Sequence, residues 1–137
     1  MQFMAHRKSK KKPVQFYIDL MLYGVAVFVI ITDDVQFAAR AIKHHTKDDF
    51  SADDLLGDGL FYSPAQERKP PVIWLERIPK DPSGFGTLAH ECLHLANWIG
   101  KRIGIEHTIK TEEFYAHIVG YVVEQILTKA NDTPTLK

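Results

Sequence analysis

The stretch from Thr87 to Ile103 constrains the fold of this chain more than any other, because it reads as one helix with two opposed demands. Leu88, Cys92, Leu95, Ile99 and Ile103 recur at spacings of four, three, four and four, which draws an apolar stripe along a helix. His90, Glu91, His94, Asn97 and Lys101 fall on other faces of the same helix. One side must therefore lie on an apolar layer while the other stays open. Pro79, Pro82, Gly84 and Gly86 form a loop ahead of it, and Gly100 and Gly104 are stop signals. The spacing predicts a helix from about Phe85 to between Gly100 and Ile103.

Strands upstream can supply the apolar layer. Gln15 to Tyr23 alternates through Phe16, Ile18, Leu20 and Leu22, and Val25 to Thr32 is a nearly continuous β-branched run. Gly24 marks a turn or bulge between them. Asp33 or Asp34 can cap a short helix carrying Val35, Phe37, Ala38, Ala41 and Ile42. His44 to Gly59 reads mostly as loop, Leu60-Phe61-Tyr62 as a short strand, and Val72 to Ile78 as another. A last helix is expected from about Thr111 to Lys129, with Thr111 as its cap and Glu112 and Glu113 in its first turn. The order strand-strand-helix-strands-helix-helix predicts an α+β class with a small mixed sheet. At 137 residues the chain is long enough for one domain with a real core. The expected division is a basic flexible arm at 1–14, a single domain at 15–130 and a tail at 131–137.

Composition narrows the classes of function. The formal charge is zero, so the whole molecule has no electrostatic bias toward nucleic acid or membrane. The charge is unevenly placed: His6 to Lys12 is basic, whereas Asp33-Asp34 and the stretch from Asp48 to Asp58 are acidic. The arm 6–12 is thus the candidate contact for nucleic acid or a protein partner. A single cysteine rules out an intramolecular disulfide framework and fits a reducing, cytoplasmic setting. The apolar run from Leu20 to Ile31 holds 12 residues, short of the roughly 20 needed to span a bilayer. It reads as a pair of buried strands, and no membrane partner is expected.

The polar side of the motif helix carries the chemistry. His90 and His94, four residues apart, project from one face closely enough to share a metal ion. Glu91, between them, stands where a general base for a bound water must be. A catalytic zinc needs a third protein ligand as well as an open position. Glu113 is the candidate, on the next helix with 18 residues between it and His94, and Glu112 is the alternative. Ala116 and Gly120 lie three and seven positions on, and their small size is expected to let the two helices approach closely. His117 is a candidate second-shell donor, oxyanion stabiliser or replacement ligand, and an exposed or helix-packing histidine is the plain alternative. His107 is a weaker candidate in the loop between the helices. Cys92 reads as a buried inert thiol, and Trp98 as core or cleft rim.

Ala89-His90-Glu91-Cys92-Leu93-His94 followed by Glu113-Phe114-Tyr115-Ala116-His117 resembles the zincin metallopeptidases of the gluzincin type. In particular it is similar to small peptidase-like proteins of phage and prophage genomes. The position where those carry a tyrosine holds His117 here, so no role of that tyrosine carries over. The likeness covers about a third of the chain. It implies a minimal zincin-like fold, a small mixed sheet packed against the HExxH helix and a C-terminal glutamate-bearing helix. It further implies Zn2+ on His90, His94 and Glu113, Glu91 as general base, and hydrolysis of peptide or protein substrates. Zincins commonly place a sheet-edge strand beside the cleft, and Val72 to Ile78 is the candidate, with a simple packed sheet strand as the equal alternative. The alternative is a structural or nucleic-acid-associated binding protein on the same fold, such as a phage component, with little or no proteolysis.

Overall fold

A computed structural model describes residues 11–132. Most of the basic arm, residues 6–10, and the end of the tail lie outside them, while Lys11 and Lys12 are exposed. The elements run β1 (Val14–Leu20), β2 (Val25–Ile31), α1 (Val35–Thr46), β3 (Gly59–Tyr62), β4 (Val72–Leu75), α2 (Pro82–Ile103) and α3 (Glu112–Asp132). Single 3-10 turns occupy Met21–Tyr23 and Ala52–Asp54. The class is α+β, with four strands in a mixed sheet and three helices.

The sheet order is β1-β2-β4-β3. β1 and β2 form an antiparallel hairpin in which Val14 faces Ile31 and Leu20 faces Val25. Gly24, at φ 67, supplies the left-handed residue that turns the chain between them. β2 and β4 run parallel, with Phe28 opposite Val72 and Ile31 opposite Leu75; α1 lies in the connection between them. β3 adds antiparallel to β4 and forms the far edge. The strand at Val72 is thus internal and not an edge, which corrects the sequence expectation. Its continuous burial from Val72 to Leu75 has that cause, since both faces are covered.

Two apolar layers sit on opposite sides of the sheet. One face packs Val27, Val29, Ile73 and Leu75 against α2 and α3, the larger core. The other packs Phe28, Ile30, Val72 and Trp74 against Ala38, Ala39 and Ile42 of α1, with Phe50 and Leu55 from the following loop. Trp74, fully buried, donates its indole N–H to the Thr32 carbonyl at 3.0 Å, so its polar edge is satisfied.

Local signals set the helix ends. Asp34 caps α1 by accepting from the Phe37 amide at 3.0 Å. Asp81 caps α2 by accepting from the Gly84 amide at 2.7 Å, with Pro82 in the first turn. α2 therefore begins three residues before the predicted start, and Gly104, at φ 78, ends it. Thr111 does not cap α3 by the expected forward bond. Its hydroxyl turns back, accepting from the Thr108 amide at 2.8 Å and donating to the Glu106 carbonyl. Replacing Asp81 by alanine is expected to lower unfolding free energy by about 1 kcal/mol, the usual value of an N-cap. Urea unfolding checks this through a lower midpoint at unchanged slope.

Candidate metal-binding site

α2 lies along the sheet with Leu88, Cys92, Leu95 and Ile99 fully buried beneath it. Ala96 and Gly100, on one flank, are covered by α3. Ile103, the last residue of the predicted stripe, is 40 % exposed, because the helix has run past the sheet by that turn. His90 and His94 stand on the outward face and are exposed.

The structure brings His90, Glu91 and His94 together, with one ligand atom of each within 4.8 Å of the others. The two histidine Nε2 atoms are 3.1 Å apart and the rings meet edge-on, 80° between planes. Two nitrogens bound tetrahedrally to zinc at about 2.05 Å stand about 3.3 Å apart, so the pair needs only a few tenths of an ångström of adjustment. Phe61 of β3 lies over His94, with ring centroids 6.3 Å apart and planes 22° from parallel.

Glu91 differs from its neighbours. Although it lies on a polar position of the sequence pattern, it is only 7 % exposed. The cause is β3. Gly59 has no side chain, and a Cβ built there would stand 2.7 Å from Thr87 Cγ2 and 3.3 Å from Glu91 Cγ. The missing side chain lets the edge strand close over Glu91 while the carboxylate stays beside the histidines. Among the described residues no hydrogen bond or ion pair engages that carboxylate. The carboxylate thus lies on the histidine side of a covered stem, where a cation or water can meet it.

Glu113 and Glu112 are not brought to this cluster. Both are exposed in the first turn of α3, and so is His117. α3 buries Tyr115, Ile118, Val122, Ile126 and Ala130. Glu113 is two residues from Tyr115, about 200° around the helix, so it stands on the solvent side. Ala116 and Gly120 share that exposed side, and nothing lies within 4 Å of a Cβ built on Gly120. The close approach of α2 and α3 occurs instead where Tyr115 lies against Gly100. Tyr115 belongs to the apolar row Tyr115, Ile118, Val122, Ile126, spaced three, four and four, and that row rather than the small residues faces the core.

Cys92 is fully buried, as expected, and its thiol is pushed up to about 12, first by burial and second by the charge of Glu91. The thiolate is the reactive form, so Cys92 is expected to resist Ellman's reagent at pH 8 in the folded protein. One thiol per chain should appear on denaturation. Trp98 is half-buried at the rim, its indole N–H donating to Ser63 Oγ at 3.0 Å, with the Arg102 guanidinium 5.2 Å over its ring. Arg102 also donates to the Glu67 carbonyl at 3.3 Å, which ties the β3–β4 loop to α2.

His107 stacks on Tyr115 at 4.2 Å, in the loop joining α2 to α3. Among the described residues no helix is long and apolar enough to cross a membrane. No protein-family model, no curated protein and no solved structure matches this chain.

Proposed function

We propose that the protein is a zinc-dependent peptidase of zincin-like fold, working in the cytoplasm, with His90 and His94 as metal ligands and Glu91 as general base. The observation that carries this reading is the Glu91 carboxylate, engaged by no hydrogen bond or ion pair among the described residues, beside two histidines at ligating separation. A surface histidine pair alone would need no such neighbour. Zinc bound there would lower the pKa of a coordinated water toward neutrality and polarise a carbonyl. Glu91 would take the proton of the attacking water and return it to the leaving nitrogen, with β3 shielding it from bulk solvent. β3 is also the free sheet edge beside the helix, so an extended peptide can pair with it over the histidines. It takes the place considered above for Val72–Ile78.

The third ligand separates this reading from the second one, a structural or nucleic-acid-associated binding protein with little or no hydrolysis, because the solvent-side position of Glu113 leaves the two histidines one protein ligand short of a catalytic zinc site. For Glu113 to ligate, the first turn of α3 must turn toward α2 when metal is loaded.

Metal content of the purified chain by elemental mass spectrometry is the decisive test. One zinc per chain is expected, lost in His90→Ala and in His94→Ala. Glu113→Ala should lower zinc affinity about 100-fold or more if it ligates. Unchanged affinity removes it from the set. A wild-type chain that takes up no zinc on titration ends the peptidase reading.

A further inference from the structure

The metal cluster stands at one end of a cleft, and the other end carries a cation, Lys101, that has no partner among the described residues. A cavity of about 820 Å³ opens over the outer face of α2 and begins at His94. Its floor is the row His94, Asn97, Lys101, spaced three and four residues apart on one helical face. Phe61 and Trp98 form the wall toward β3. Tyr115 and the loop residues Ile105, Glu106 and His107 form the opposite wall. Neither Asn97 nor Lys101 has a hydrogen bond or ion pair among the described residues. The walls are firm: the Tyr115 hydroxyl donates to the Ile105 carbonyl at 2.5 Å, and Thr111 holds the Glu106 carbonyl.

From these features we infer that the cleft selects extended peptide segments carrying a carboxylate two or three residues beyond the carbonyl held at the histidines, with Lys101 as the specificity-determining residue. This deepens the peptidase reading and rests on it for the carbonyl, though not for the cleft. Seven helical residues separate His94 from Lys101, about 10 Å along the axis. Three extended residues span about the same length, at 3.3 Å each. A peptide lying along α2 therefore brings a group from its second or third following residue to the Lys101 ammonium. Asn97, between the two, has both a donor and an acceptor for the peptide backbone. The aromatic walls suit the side chains of the residues between.

A carboxylate can come from a free C-terminus or from an Asp or Glu side chain, and both meet Lys101 by the same chemistry. Among the described residues Glu106 is the only acid lining the cavity, and it stands on the loop wall. If Glu106 set the preference instead, a free α-amine would be favoured.

The test is binding, read through Trp98 fluorescence in the full-length Glu91→Gln chain, with and without zinc; Trp74 is buried elsewhere and serves as a constant background. Four probes share one backbone: Ac-Ala-Phe-Ala-Ala with a free carboxylate, the same peptide amidated, Ac-Ala-Phe-Ala-Asp amidated, and Ala-Phe-Ala-Ala amidated with a free amine. The free-carboxylate peptide, the Asp peptide or both should bind about tenfold more tightly than the amidated parent, and Lys101→Met should erase the difference. Which of the two shows the gain identifies the source of the carboxylate. Equal binding of all four peptides, or a preference for the free amine lost in Glu106→Gln, overturns the inference. The two readings fail separately. A chain that takes up no zinc yet keeps the Lys101-dependent preference retains the cleft and loses the peptidase. One zinc per chain with indifferent binding does the reverse.

Discussion

Replacing Glu91 by glutamine is expected to leave zinc stoichiometry unchanged, to lower peptide hydrolysis about a thousandfold and to leave the metal-free fold about as stable as before. The first two effects follow from the proposed role. Glutamine keeps the shape of the side chain and leaves both histidines in place but cannot accept the proton of water, and a positioned general base contributes 10²–10⁴-fold. The third follows from placement. The stem of Glu91 is covered by β3 and its carboxylate lies on the histidine side, so an amide of the same shape changes the metal-free unfolding free energy by about 0.5 kcal/mol or less. The pair of measurements is diagnostic. Hydrolysis by metal-loaded protein at the wild-type rate would remove Glu91 from the chemistry. A fall in metal-free stability would show that the carboxylate makes a structural bond and is not kept for a ligand.

The sequence expectations divide along a physical line. Elements defined by local pattern were legible: the β-branched run that became β2, the two-faced α2, the Asp34 cap and the strand at Leu60–Tyr62 all lie within a few residues of where spacing and capping place them. The His90–Glu91–His94 group was legible for the same reason, since i, i+1 and i+4 on one helix fix its geometry without help from the fold. What failed depended on which element lies beside which. Val72–Leu75 is internal because β3 returns to pair outside it, and a four-residue apolar strand gives no hint of its neighbours. Glu91 sits at a polar position of the helical pattern and is nevertheless buried, because Gly59 of a distant strand lets the edge close over it. For α3, small residues at Ala116 and Gly120 suggested a contact face, yet the hydrophobic run Tyr115, Ile118, Val122, Ile126 took the core instead. The larger apolar area won, and it carried Glu113 to the solvent side.

That same docking makes Gly100 the most sensitive backbone position between the two helices. A Cβ built there would overlap the Tyr115 hydroxyl and stand 2.7 Å from its Cζ and 3.0 Å from its Cε1. Tyr115 cannot swing aside at low cost. It is 4 % exposed, its hydroxyl donates to the Ile105 carbonyl at 2.5 Å, and its ring packs edge-on to Phe114 at 5.2 Å and under His107 at 4.2 Å. Glycine costs a helix interior up to about 1 kcal/mol relative to alanine, so Gly100→Ala brings a propensity gain of that order. Overpacking of a tight core contact costs about 1–3 kcal/mol, and moving Tyr115 also breaks its buried hydrogen bond at about 1 kcal/mol or more. The steric and hydrogen-bond losses outweigh the propensity gain, and a net destabilisation of about 2 kcal/mol is expected by urea unfolding. Combining it with Tyr115→Ala should recover part of the loss, because the small side chain removes the clash while leaving a cavity of its own. The consequence reaches the cleft, since Tyr115 and Ile105 form its loop-side wall while His94 and His90 stand about two and three turns from Gly100 on α2. Gly100→Ala is therefore expected to keep its zinc and to lose discrimination between the carboxylate and amide peptides. If stability and discrimination are both unchanged, α2 and α3 do not meet at Gly100 in the way the structure places them.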